Sequence, residues 1–130
     1  MTKGDHIEYW LKNAKRDWNR AKFCMEQKDY LFALFCAHLC LEKLCKALWV
    51  KHHKSNYPPR IHNLEKILRS TPVRLSDNDW KFLLDMNKFQ LEGRYPDYRD
   101  RIYRECTKEF TLNIFINVKR MKSCLIKELQ

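Results

Sequence analysis

Apolar residues recur at alternating four- and three-residue steps at the start of the chain, at Ile7, Leu11, Ala14, Trp18, Ala21 and Met25. That spacing puts them on one face of a helix, with Lys12, Lys15, Arg16, Arg20 and Lys22 away from it, and predicts an amphipathic helix with a basic outer face. The connection "QKD" that follows is very short, and Asp29 is placed to cap a second helix by accepting its free amide hydrogens. Helices one and two are therefore expected to be antiparallel neighbours. The second segment, "YLFALFCAHLCLEKLCKALWV", is apolar around nearly its whole circumference until Glu42, which predicts the buried centre of a bundle. Leu34, Ala37, Leu41, Leu44 and Leu48 form one stripe, and His38, Glu42, Cys45 and Trp49 form a second about 100° away. His38 and Glu42, one turn apart, thus fall near the core. A buried carboxylate is unfavourable unless paired, so Glu42 is expected to meet a cationic or hydrogen-bonding partner from another helix.

Beyond the second helix, "KHHKSNYPPR" reads as a loop, because Pro58 and Pro59 cannot continue a helix. "IHNLEKILRS" reads as a short third helix ending before Pro72. Ser76 followed by Asp79 resembles a capping box and opens a fourth helix through "DWKFLLDMNKFQLE", with Trp80, Leu83, Leu84, Asn87 and Leu91 along one side and Gly93 as its stop. A last helix is predicted from about Asp100, its stripe formed by Tyr103, Cys106, Phe110, Ile114, Asn117, Met121 and Cys124. Two glycines and four prolines are too few turn-formers for a many-stranded protein, so the class is all-α. A chain of 130 residues is long enough for one domain with one core, here residues 1–130.

Charge and cysteines narrow the picture. Lys and Arg number 26 against 16 Asp and Glu, a net charge of +10, which favours acidic partners such as nucleic acid, nucleotides or an acidic protein face. A solvated basic surface would have the same charge. No hydrophobic run approaches the roughly 20 residues of a membrane span, and the first ten residues lack the apolar core of a signal peptide, so a cytoplasmic protein without membrane contact is expected. Cys24, Cys36, Cys40, Cys45, Cys106 and Cys124 include no C-x-x-C pair, and buried free thiols are expected rather than a metal site. No cofactor is implied.

The stretch "GRYPDYRDR" has two readings. Arg94, Arg99 and Arg101 are donors that fit phosphate geometry, and Tyr95 and Tyr98 are flat faces for a base, although Asp97 and Asp100 weaken the local positive potential. Alternatively Pro96 makes a turn, the aspartates cap the last helix and Arg94 reaches back to pair with Glu42 in the core. His38 on an apolar face reads as a core histidine before a catalyst, and His62 as a cap or a packing group. His52, His53 and Lys54 read as solvated, while Lys43 and Lys46 could contact a phosphate or stand exposed. No Gly-rich phosphate loop, Ser-His-Asp set or zinc cluster stands out, so no catalytic residue is assigned.

Three stretches, "FALFCAHLCLEKLCKAL", "PPRIHNLEKIL" and "GRYPDY", in this order, resemble the HEPN domain family, helical bundles named for nucleotide binding in higher eukaryotes and prokaryotes. The resemblance implies an up-and-down bundle, here of four long helices plus one short one, commonly a homodimer and often encoded beside a minimal nucleotidyltransferase as partner, in toxin-antitoxin-like or defence settings. Some relatives are ribonucleases with an Arg followed four to six residues later by a His. None of Arg16, Arg20 or Arg60 has a His at that distance, and the family's usual glutamine on helix two is His38 here. The expectation is a non-catalytic dimeric module that binds a nucleotide, an RNA or a nucleotidyltransferase through a cleft near "GRYPDY". Arg94, Tyr95, Tyr98, Arg99, Lys46 and His38 are the candidate ligand contacts, and Glu42 with Arg94 the candidate buried pair. A ribonuclease with an atypical site and a purely structural interaction protein are the alternatives.

Overall fold

The computed structural model describes residues 1–130 and opens with a helical hairpin. α1 (Lys3–Glu26) begins at a reciprocal capping box: the Thr2 hydroxyl accepts from Asp5 N, and the Asp5 carboxylate accepts from Thr2 N. Lys28 turns the chain in a left-handed conformation, with φ 63°. α2 (Tyr30–His52) then starts with Asp29 accepting from Phe32 N at 3.4 Å. The two helices run antiparallel because the start of α1 is fastened to the end of α2. Lys3 Nζ donates to the carbonyls of Val50 and His53 at 2.8 and 2.7 Å and to Asn56 Oδ1 at 2.8 Å. An ammonium there serves carbonyls that have no helical donor and opposes the negative end of the helix dipole.

α2 is the bundle's centre, as its all-round apolar pattern demands: Leu34, Ala37, Cys40, Leu41, Cys45, Ala47, Leu48 and Val50 are all inaccessible to solvent. α3 (Leu64–Arg69), capped by Asn63, presses Leu64, Ile67 and Leu68 into the core against α2. α4 (Asp77–Met86) is capped by Ser76, which accepts from Asp79 N at 3.2 Å, and passes into a 3₁₀ turn at Asn87–Phe89. α5 (Pro96–Glu105) and α6 (Lys108–Glu128) complete the chain. Lys51 Nζ donates to the Glu128 carbonyl at 2.8 Å, so α2 and α6 end at the same level and run parallel. Asp79 meets Arg120 at 2.7 Å and Phe89 meets Phe110, which sets α4 antiparallel to α6. The directions of α1, α2, α4 and α6 therefore alternate, an up-and-down arrangement in an all-α fold. No helix is long and apolar enough to cross a membrane.

The element boundaries differ from the sequence pattern in three places. The single last helix is two: the chain breaks at Cys106, and Thr107 caps α6 by accepting from Phe110 N at 3.2 Å. The apolar spacing in the sequence runs on across the break and conceals it, yet Tyr103 is 63% exposed, and Ile102 and Cys106 are the buried residues there. The fourth helix stops at Met86 rather than reaching Leu91, because the 3₁₀ turn tightens the chain and Gln90 is extended at ψ 112°. Gly93, at φ 75°, makes the later turn that leads into α5. The third helix starts at Leu64, three residues late, its first turn preceded by the Asn63 cap. All the cysteines are free, and burial pushes the Cys40 thiol up to about 12, which keeps it protonated and inert.

Candidate functional site

Glu42, 4% exposed in the middle of α2, is the charge around which a polar cluster is built. Its Oε2 accepts from Lys46 Nζ at 3.2 Å, one turn along the same helix. Its Oε1 accepts from His62 Nδ1 at 2.9 Å, from the segment leading into α3. His38 Nδ1 lies 4.0 Å from the same oxygen, beyond hydrogen-bond reach, and has no other partner. Burial lowers the His38 pKa, outweighing the pull of Glu42, so the ring is neutral. Lys46 also lies over the Trp10 ring of α1, 5.6 Å from its centroid.

A chain of side-chain amides surrounds His62. Asn63 Oδ1 accepts from Lys66 N at 3.1 Å, capping α3, and from Asn87 Nδ2 at 3.1 Å. Asn87 Oδ1 accepts from Leu64 N at 3.0 Å and faces His38 Nε2 at 3.4 Å. Gln90 Oε1 accepts from Glu92 N at 2.9 Å, while its Nε2 is buried without any partner. The 3₁₀ turn after α4 thus brings Asn87 and Gln90 beside the α3 cap. Together with Arg94 they enclose a cleft of about 180 Å³ lined by His62, Asn63, Asn87, Gln90 and Arg94, with no apolar side chain among them.

The segment "GRYPDY" forms the outer rim. Arg94 is exposed and enters no ion pair; its Nε donates to the Gln90 carbonyl at 3.4 Å, and its guanidinium lies 4.5 Å from the Tyr98 ring centroid. The expected Glu42–Arg94 pair is not formed, because His62 and Lys46 already occupy the two carboxylate oxygens and the exposed Arg94 lines the polar cleft instead. Tyr98 is no open stacking face: its ring packs against the core and its hydroxyl donates to the Lys88 carbonyl at 2.7 Å. Arg99 Nη2 donates to the Leu91 carbonyl at 3.0 Å, which braces the turn. Tyr95 is 80% exposed, the one ring of this segment open to a partner. His38 and Lys46 are turned inward against Glu42, behind the cleft rather than in it. Lys43, read as a possible phosphate contact, is instead tied to Asp17 of α1, and His53 is stacked on Trp49 at 3.9 Å rather than fully solvated.

Sequence reading passed over Asn63, Asn87, Gln90 and the Asp17–Lys43 pair as polar partners. Asp17 had a signal, since it falls three and four residues from Ala14 and Ala21 and therefore inside the apolar stripe of α1. The amides had none, because their meeting depends on where α4 ends. A separate groove of about 340 Å³ between α1, α2 and α6 has Leu11, Trp18 and Ile126 in its walls and Lys15, Lys22 and Lys122 at its edge, away from the amide cluster. No group of three or more His, Cys, Asp and Glu side chains converges closely enough to hold a metal ion.

A family model described as HEPN domain matches residues 7–128, nearly the whole chain. The chain therefore belongs to the HEPN domain family. No curated protein and no solved structure matches it.

Proposed function

We propose that this HEPN domain is a non-catalytic module that binds a nucleotide or RNA in the cleft between the α3 cap and the "GRYPDY" turn. One observation carries the reading: the cleft is lined only by polar side chains, and Arg94 on its rim has no anionic partner within the protein. An unpaired guanidinium beside amide donors suits a phosphate group, and the exposed Tyr95 next to it offers a face on which a base can stack. The net charge of +10 assists encounter with an anionic chain. The module works as a homodimer and with a minimal nucleotidyltransferase partner, a reading supported by the apolar side chains left open on α2 and α6, where Phe32 is 49%, Leu112 43% and Ile116 68% exposed. Fluorescence anisotropy with a labelled single-stranded oligoribonucleotide tests the binding: saturable binding that weakens with salt and in Arg94→Ala supports it. Binding unaffected by Arg94→Ala would place the contact elsewhere. Light scattering at micromolar concentration should report twice the chain mass.

A second reading, a ribonuclease with an atypical site, is favoured by the His62–Glu42 contact. A buried carboxylate holds Nδ1 of a half-exposed imidazole, 45% accessible, whose Nε2 faces outward toward Glu92 at 3.6 Å. That is the arrangement of an oriented general base. Cleavage of the same oligonucleotide by the wild type and its loss in His62→Ala would favour this reading over the binding module.

A further inference from the structure

The amides around the cleft are not equivalent at their two ends. Every amide oxygen is already engaged inside the protein: Asn63 Oδ1 by Lys66 N and Asn87 Nδ2, Asn87 Oδ1 by Leu64 N, and Gln90 Oε1 by Glu92 N. These contacts fix which way each amide faces, because a backbone N–H bonds only to the oxygen end. What remains unspent is on the nitrogen side. Gln90 Nε2 has no partner although Gln90 is only 7% exposed, Asn63 Nδ2 makes no bond, and both Nη groups of Arg94 are unbonded. A buried donor left open costs free energy that native structures rarely leave unanswered.

Resting on the binding-module reading above, we infer that this cleft is an oxyanion subsite that takes the phosphate group of the ligand, with Arg94 and Asn63 as its donors, Asn87 as the residue that positions Asn63, and the buried, unpartnered Gln90 amide in its wall. The stereochemistry agrees. Phosphate offers only acceptors in its ionised form, whereas a nucleobase edge alternates donors and acceptors and would leave its own donors facing amide nitrogens. The cleft has no apolar floor on which a base could stack, and at about 180 Å³ it has room for a phosphate and part of a sugar. Specificity for the base thus lies outside it, at the exposed Tyr95. The Glu92 carboxylate, 62% exposed and 3.6 Å from His62 Nε2, is the exposed anionic group beside the subsite and opposes an incoming anion, whereas Glu42 is buried behind His62 and compensated by Lys46.

Isothermal titration with inorganic phosphate, adenosine 5′-monophosphate and adenosine, and competition of each against a labelled oligoribonucleotide, tests the subsite. Phosphate and the monophosphate should compete for one site while adenosine does not. Arg94→Ala should weaken the monophosphate by about tenfold or more, the size of a lost charge-assisted contact. Gln90→Glu, which puts a carboxylate in the wall of the cleft in place of a neutral amide, should do at least as much, and Glu92→Gln should strengthen binding. Unchanged melting temperatures in the exposed Arg94 and Glu92 variants keep the test free of folding effects. The subsite is overturned if adenosine binds as well as its monophosphate, or if Arg94→Ala and Gln90→Glu both leave monophosphate affinity intact. An oligonucleotide that binds but is not displaced by phosphate also removes the subsite, while leaving the module reading in place. Phosphate and monophosphate binding without any oligonucleotide binding would keep the subsite and remove RNA as the ligand.

Discussion

Asp17 on α1 and Glu42 on α2 are both buried acids, 1% and 4% exposed, and each is held by a lysine. They differ in their second partner and in what that partner touches. Asp17 is completed by Arg20 of its own helix at 3.2 Å, and none of Asp17, Lys43 and Arg20 lines a cleft. Glu42 is completed by His62, which is half-exposed and forms part of the polar cleft wall. The first acid pins two helices together, and its influence ends there. The second stands behind a surface site, where its charge fixes the orientation of the ring that a ligand would meet. Burial of an acid is thus no sign of function, nor is exposure of its partner, since Arg20 is 68% exposed against 45% for His62; what separates the two is that only His62 lines a cleft.

The largest effects should come from the acids themselves. Removing one member of a buried pair leaves a charge uncompensated, typically a cost of ~3–5 kcal/mol, so Asp17→Ala and Glu42→Ala should each lower unfolding free energy markedly in urea titrations. Asp17→Ala should fall toward the lower end, since the released Lys43 is already 23% exposed against 9% for Lys46. Only Glu42→Ala should also weaken oligonucleotide binding by the folded fraction. Equal loss of binding in the two variants would erase the contrast.

Tyr98→Phe removes the hydroxyl that donates to the Lys88 carbonyl and leaves the ring, so a loss of about 1 kcal/mol is expected, with RNA affinity changed little. Tyr95→Ala should show the reverse, weaker binding at unchanged stability, because that ring is exposed.

A third effect depends on pH. Burial lowers the folded-state pKa of His38 below its ordinary 6.5, so the unfolded chain takes up a proton that the folded chain resists. This contribution to stability is complete above pH 6.5 and is lost as pH falls from there through the lower folded-state value. His38→Gln should flatten that part of the stability curve when melting temperatures are compared between neutral and mildly acidic buffers. An unchanged slope would mean that the acid sensitivity belongs to another group.

Like Tyr95→Ala, Arg94→Ala should be among the smallest stability effects. An exposed arginine without an ion pair contributes within about 0.5 kcal/mol, so its variant should melt with the wild type while losing ligand affinity. A marked drop in melting temperature would revive a core role for Arg94.

Much of the architecture was legible in the order of residues alone. The period of apolar positions marked α1 and α2, the all-round apolar surface of α2 put it at the centre, and Asp29 and Ser76 announced two helix starts, because amphipathicity and capping are local properties. The presence of Glu42 on the apolar helix likewise revealed that a buried carboxylate needed a partner. One partner, Lys46, sits one turn along the same helix, a local relation; the other, His62, was decided only in three dimensions. Arg94, the natural fork for a carboxylate, was left outside when Lys46 and His62 filled both oxygens, and Asn63, Asn87 and Gln90 met because the chain leaves α4 through a 3₁₀ turn instead of continuing as helix. Such choices are settled by competition among several polar groups for the same few acceptors. They depend on distances between segments that lie 20 or more residues apart in the chain, and no local pattern carries those distances.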